Sequence, residues 1–186
     1  QSWSAIAMDK DGNVLTNTPI WMDTRAQSIC DRLNEEIGAD KIFEVSGNSL
    51  QPSYTTAKIL WYKENMPEVY EKIDKILQSN SFIAYKLTGV MSQDVSQGYG
   101  LHCFDMRRAV WDEAMCRRLG IPLEFLPEIC DCDHIVGTVT EKAAEEAGLA
   151  AGIPVVAGGL DAACGTLGAG VIHPGETQEQ GGQAGG

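Results

Sequence analysis

The stretch Gly158-Gly159-Leu160-Asp161-Ala162-Ala163-Cys164-Gly165-Thr166-Leu167-Gly168-Ala169-Gly170 constrains the fold more than any other. Ahead of it runs Gly152-Ile153-Pro154-Val155-Val156-Ala157, a short β-branched run that predicts a buried strand. Small residues then carry the chain out of the strand into a helix, with one carboxylate, Asp161, at the turn between them. Free N–H groups in the first turn of a helix stabilise negative charge, and glycines let a ligand approach the backbone closely. Asp161 therefore has two readings. It is the N-cap of a glycine-rich turn, or it is a carboxylate aimed into a ligand cleft.

The rest of the chain predicts further strands and helices around this unit. Residues 4–8 alternate polar and apolar, Asp11-Gly12 signals a hairpin turn, and Val14-Leu15 returns. Pro19-Ile20-Trp21-Met22 predicts another strand. Asp23-Thr24-Arg25 opens a helix expected to run to about Ile37, with Thr24 or Asp23 as N-cap and Gly38 as its stop. Val45-Ser46-Gly47-Asn48 is a turn, and a helix within residues 52–65 buries Ala57, Leu60 and Trp61 before Met66-Pro67 ends it. Further helices are expected over residues 81–87, 111–119 and from Thr140 to Gly148, with a polar loop from Asp94 through Gly100 and a strand over residues 135–139. This alternation indicates an α/β domain.

Composition narrows the function. A net charge of −12 over 186 residues argues against nucleic acid or an anionic membrane as partner. No apolar run approaches the roughly 20 residues of a membrane span, and no basic-plus-apolar start suggests a signal peptide, so a cytoplasmic protein is expected. The six cysteines lack a framework spacing and read as reduced thiols. Cys130-Asp131-Cys132-Asp133-His134 spaces its cysteines too closely for the usual zinc site, so a loop is preferred there and no metal site is assigned. Trp61 and Trp111 are expected in the core, and Lys58 and Arg25 in structural ion pairs or caps. His102, His134 and His173 have no nucleophile or metal partner in the sequence and receive no chemistry.

An ordered set of short motifs runs along nearly the whole chain. It comprises Ile20-Trp21-x-Asp23-x-Arg25, Gly47-Asn48, Ser53-x-Thr55-x-x-Lys58-Ile59-x-Trp61, Leu87-Thr88-Gly89 and Asp94-x-Ser96. Then come Asp105 with Trp111, Leu126-Pro127, and Gly158-Gly159-x-Asp161 with Gly165, Gly168 and Gly170. Together they resemble the FGGY carbohydrate kinases, the xylulokinases most closely. Tyr62 departs from the first signature, where a smaller aliphatic is more usual.

The resemblance implies an actin-like ATPase fold of two ribonuclease-H-like domains with a cleft between them, sugar on the N-terminal domain and ATP mostly on the C-terminal one. Residues 1–170 would form the greater part of the sugar-binding domain and residues 171–186 the linker and the start of the nucleotide domain, so the chain is expected to be incomplete at both ends and inactive alone. Asp161 would be the base that takes the proton from the sugar hydroxyl attacking the γ-phosphorus of ATP, with Mg²⁺ and backbone N–H groups carrying phosphate charge. Gln1, Ser2 and Trp3 fall on the sugar-contacting segment, where xylulokinases commonly have Gln-Met-His, and Ala162 falls where they often have a sugar-touching Asn. Gly182 and Gln183 fall on a phosphate-contacting Gly-Thr-Ser-Gly. The expected substrate is a ketopentose such as xylulose. The alternatives are another ketose, a polyol such as glycerol or an aldonate, or a sugar-binding module without catalysis. The resemblance also admits a homodimer of the full-length protein.

Overall fold

Short strands and the helices packed against them organise the chain, which a computed structural model describes over residues 3–181. Strand β1 (Ile6–Met8) is buried throughout and makes a single further bridge, Met8 to Val14, across the Asp9–Asn13 turn. The Asp9 carboxylate holds that turn through the N–H groups of Asp11 and Asn13, so the Asp11-Gly12 hairpin is present but brief. Helix α1 (Gln27–Leu33) passes through a π-helical turn at Asn34–Gly38 into α2 (Ala39–Ser46). Then follow α3 (Thr55–Asn65), α4 (Pro67–Tyr70), β2 (Lys75–Leu77), α5 (Ser79–Thr88), β3 (Ser92–Asp94) and α6 (Val95–Gly98). The hairpin β4 (Phe104–Asp105) and β5 (Val110–Trp111) leads to α7 (Glu113–Leu119) and β6 (Glu128–Cys130). The chain closes with β7 (Ile135–Thr138), α8 (Glu141–Ala147), β8 (Pro154–Val156) and α9 (Asp161–Gly168).

Strand pairing is long-range. β1 pairs antiparallel with β2, β3 parallel with β6, and β7 antiparallel with β8. The main core gathers Ile29, Cys30 and Leu33 of α1, Ile42 of α2, Ala57, Ile59, Leu60 and Tyr62 of α3, and Met115, Cys116 and Leu119 of α7. Trp61 and Trp111 pack against it half-buried, and the Trp111 indole N–H donates to the Pro127 carbonyl at 2.8 Å. Side-chain caps start helices where the chain offers Asp or Thr: Asp94 for α6, Asp112 for α7 and Thr140 for α8. No helix among the described residues is long and apolar enough to cross a membrane.

Several expectations are corrected. Pro19-Ile20-Trp21-Met22 forms a turn closed by the Asp23 N–H on the Ile20 carbonyl, with Ile20 and Met22 exposed, so its apolar side chains do not enter the core as a buried strand would. The helix expected from Asp23 starts only at Gln27. The Asp23 carboxylate is engaged instead by the Arg25 backbone N–H and guanidinium, the latter at 2.7 Å and lying 4.7 Å over the Trp61 ring. Gly38 does interrupt the helical run, at φ 97°, yet the chain resumes as α2, which local pattern alone did not predict. Trp111 sits in β5 rather than in α7, since Asp112 caps the helix after it. Asp94 to Gly98 is strand end and short helix rather than loop. Finally, β8 is not buried: Val156 is 47% exposed, because α5 and α8 cover the β7–β8 pair on one side.

Candidate active site

Asp161 is presented by a turn whose every bond can be traced. The chain leaves β8 through Ala157 and Gly158. The Gly158 N–H donates to the Cys132 carbonyl at 3.0 Å, and its φ of 78° is a left-handed conformation that favours glycine. Next, the Leu160 N–H donates to the Ser96 hydroxyl oxygen at 2.8 Å. Leu160 is therefore the N-cap position of α9, and Asp161 is the first helical residue. The N-cap reading of Asp161 is thus corrected. Its side chain makes no capping bond and is exposed, so the carboxylate is free of that structural duty.

What holds Ser96 is a buried carboxylate. Asp94, 1% exposed, accepts from the Ser96 hydroxyl, from the Gln97 N–H at 3.0 Å and from Asn80 Nδ2 at 2.6 Å. Asn80 Nδ2 also donates to the Ala157 carbonyl at 3.2 Å. One buried acid thus ties α5, α6 and the turn before Asp161 into a single network, which explains the Asp94-x-Ser96 pair as positioning machinery. Such a network is stiff when satisfied.

Three aromatic rings gather where the segment before β1 meets the start of α3 and the end of α6. Trp3 and Tyr54 lie with centroids 4.5 Å apart, and Tyr99 meets Trp3 edge-on at 5.4 Å. Burial pushes the Tyr99 phenol up to about 12, with Tyr54 and the negative charge of Asp161 adding to the shift. Tyr99 is accordingly a neutral hydrogen-bond donor at physiological pH, within electrostatic reach of Asp161. The Trp3 indole N–H is buried and finds no partner among the described residues. The Trp3 backbone is pinned, with its N–H on Gln78 Oε1 at 3.1 Å and its carbonyl accepting from Lys58 Nζ at 2.8 Å, at a φ of 57°.

The structure brings Trp3 together with Tyr54 and Tyr99, two rings that sequence reasoning missed, and Tyr99 in turn lies within electrostatic reach of Asp161. No local signal marks those two, since the rings meet only after α3, α6 and the segment before β1 are packed. Ala162 follows Asp161 on α9, half-buried, with its carbonyl accepting from Thr166 Oγ1 and Gln180 Nε2. Gln1, Ser2, Gly182 and Gln183 lie outside the described residues. Lys58 donates to two carbonyls, and among the described residues it forms no ion pair. Among the described residues no three His, Cys, Asp or Glu side chains gather as a metal cluster. His102 is fully buried. Its Nε2–H donates to the Ser49 carbonyl at 3.2 Å and its Nδ1 faces the Thr56 hydroxyl at 3.0 Å, so it serves the core.

Comparison with known proteins agrees with this architecture. A xylulose kinase from Bacillus subtilis is 31% identical over 177 residues, 95% of this chain and 35% of that protein. The crystal structure of a xylulose kinase from Rhodospirillum rubrum superposes with a TM-score of 0.91 at 25% identity, covering 96% of this chain and 37% of its own. A Plasmodium falciparum glycerol kinase solved with ADP superposes at 0.86 and 26% identity, over 95% of this chain and 36% of its own. The chain spans about a third of the length of such relatives. These likenesses identify the α/β fold as the ribonuclease-H-like fold of the actin-like ATPase sugar kinases. The model of one family, FGGY carbohydrate kinases, N-terminal domain, matches residues 1–168, and the chain belongs to that family.

Proposed function

We propose that the protein carrying this chain phosphorylates a sugar hydroxyl with ATP, Asp161 acting as general base. The observation that carries the reading is the unencumbered Asp161 carboxylate at the first turn of α9, which the Ser96–Asp94 network holds in place and which lies within electrostatic reach of Tyr99. A hydroxyl becomes a competent nucleophile as its proton leaves, and a fixed carboxylate within hydrogen-bond reach accepts it. Trp3 and Tyr54 offer apolar faces against the carbon side of a sugar, while the Tyr99 hydroxyl is a donor for its oxygens. ATP brings its own Mg²⁺, held mainly by phosphate oxygens, which neutralises charge on the transferring group.

Residues 1–170 are then most of the sugar-binding domain, residues 171–186 lead to the nucleotide domain, and the full-length protein works in the cytoplasm. The xylulose kinase relatives favour a ketopentose such as xylulose. A second reading, a kinase for another ketose or a polyol, draws on Trp3 replacing the expected imidazole and on the likeness to a glycerol kinase. An ATP-consumption screen of the full-length protein over ketoses, polyols and aldonates separates the two. In the same protein Asp161→Asn should lower kcat by about 10²–10⁴-fold with sugar KM little changed. Near-normal turnover by that variant would remove Asp161 from the chemistry.

A further inference from the structure

One face of α3 carries an uncommon load. Thr55, Lys58 and Tyr62 follow one another at helical spacings of three and four and are all at most 1% exposed. Each donates to a different carbonyl of three consecutive residues: Lys58 Nζ to Trp3 at 2.8 Å, Thr55 Oγ1 to Ser4 at 3.2 Å, and Tyr62 Oη to Ala5 at 2.8 Å. These residues precede β1, so no strand takes their carbonyls, and side chains of a helix stand in for a neighbouring strand.

Lys58 does more than the other two. Its Nζ also donates to the Ser53 carbonyl at 2.6 Å, and Ser53 immediately precedes Tyr54. A single ammonium group therefore clasps the two peptide segments from which the Trp3 and Tyr54 rings project, rings whose centroids lie 4.5 Å apart. The arrangement is costly for an ordinary core position. Burial lowers the Lys58 ammonium to about 8, opposed by the charge of Asp23, and among the described residues no carboxylate forms an ion pair with it. An apolar side chain of similar length would fill the same space without that cost, but it would release both carbonyls.

We propose that Lys58 is a positioning residue for the sugar site: by joining the Trp3 and Ser53 carbonyls it holds the Trp3 and Tyr54 rings in register. The proposal rests on the kinase reading above and adds the residue that sets the site's aromatic wall. Lys58 touches no substrate and acts through Trp3.

The test uses the full-length protein and its best substrate from the screen. Lys58→Met should raise the sugar KM by roughly tenfold to a hundredfold, the loss expected for charge-assisted hydrogen bonds, with ATP KM changing less than about twofold. In a Trp3→Ala background the same substitution should add less than about threefold, since the ring it places is gone. An unchanged sugar KM, equal effects in both backgrounds, or a parallel rise in sugar and ATP KM overturns the proposal. If Lys58→Met does not fold, Lys58→Gln, which keeps one donor group, is measured by the same criteria. If the wild-type protein phosphorylates nothing on the panel, the kinase reading fails by itself. Amide exchange over residues 4–8 then decides the clasp: faster exchange in the Lys58 variant supports it and unchanged exchange overturns it.

Discussion

Replacing Gly100 with alanine tests how tightly the aromatic wall is built. A Cβ at Gly100 would lie 2.3 Å from Trp3 Cδ1 and 2.8 Å from Trp3 Nε1, where ordinary contact begins at 3.4 Å. One side must therefore retreat by about 1 Å, an overpacking strain. The Gly100 backbone has little room, because its carbonyl accepts from the Thr55 N–H and its N–H donates to the Gln97 carbonyl, both at 3.0 Å. The indole is bounded in turn by Tyr54 and Tyr99, and its own backbone is held by Gln78 and Lys58. With neither side free, Gly100→Ala should cost about 1–3 kcal/mol, typical of added methyls in a packed site. In the Trp3→Ala background only Gln78 Nε2, at 3.3 Å, still crowds the added methyl, and the same change should cost less than about 1 kcal/mol. Urea unfolding of the four proteins of this cycle measures the coupling. On the proposed function, in which the displaced ring would line the sugar site, sugar KM should rise in Gly100→Ala alone. An equal stability cost in both backgrounds would refute the reasoning, because the strain would then reside in the backbone and not against the indole.

Two other perturbations follow from the same contacts. Ser96→Ala removes the acceptor for the Leu160 N–H and one donor to buried Asp94, so it should cost about 1–2 kcal/mol of stability and lower kcat several-fold more than it alters sugar KM; a normal kcat would detach the Asp94–Ser96 network from Asp161. His102 has its pKa lowered by burial from 6.5 to about 4, so the folded state holds it neutral while the unfolded chain protonates first. The stability this contributes is complete above pH 6.5 and is lost as pH falls through 4, on the order of 3 kcal/mol in all. Unfolding free energy against pH for wild type and His102→Gln checks it, the variant showing the flatter acid limb.

Local patterns were legible wherever one segment contains its own cause. Gly89, Gly120 and Gly148 each end a helix in the left-handed conformation, and Thr140 caps α8, as residue type alone predicts. The strand-to-helix unit with Asp161 is likewise local: β-branched residues, then glycines, then a helix. The family likeness rests on many such short pieces in a fixed order. Tertiary structure decided everything that depends on distant residues meeting. Pro19 to Met22 has strand composition yet turns and leaves Ile20 and Met22 exposed, and β8 is apolar yet open on one side. Leu160 rather than Asp161 takes the N-cap place because Ser96, 64 residues earlier, supplies the acceptor for its N–H. Tyr54 and Tyr99 join Trp3 only once α3 and α6 are packed, and Lys58 became a clasp rather than an ion-pair partner because the carbonyls it meets are 55 and 5 residues away. Propensity and periodicity act within about a helix length, whereas the partners of a buried polar group are chosen by whatever else the fold buries beside it.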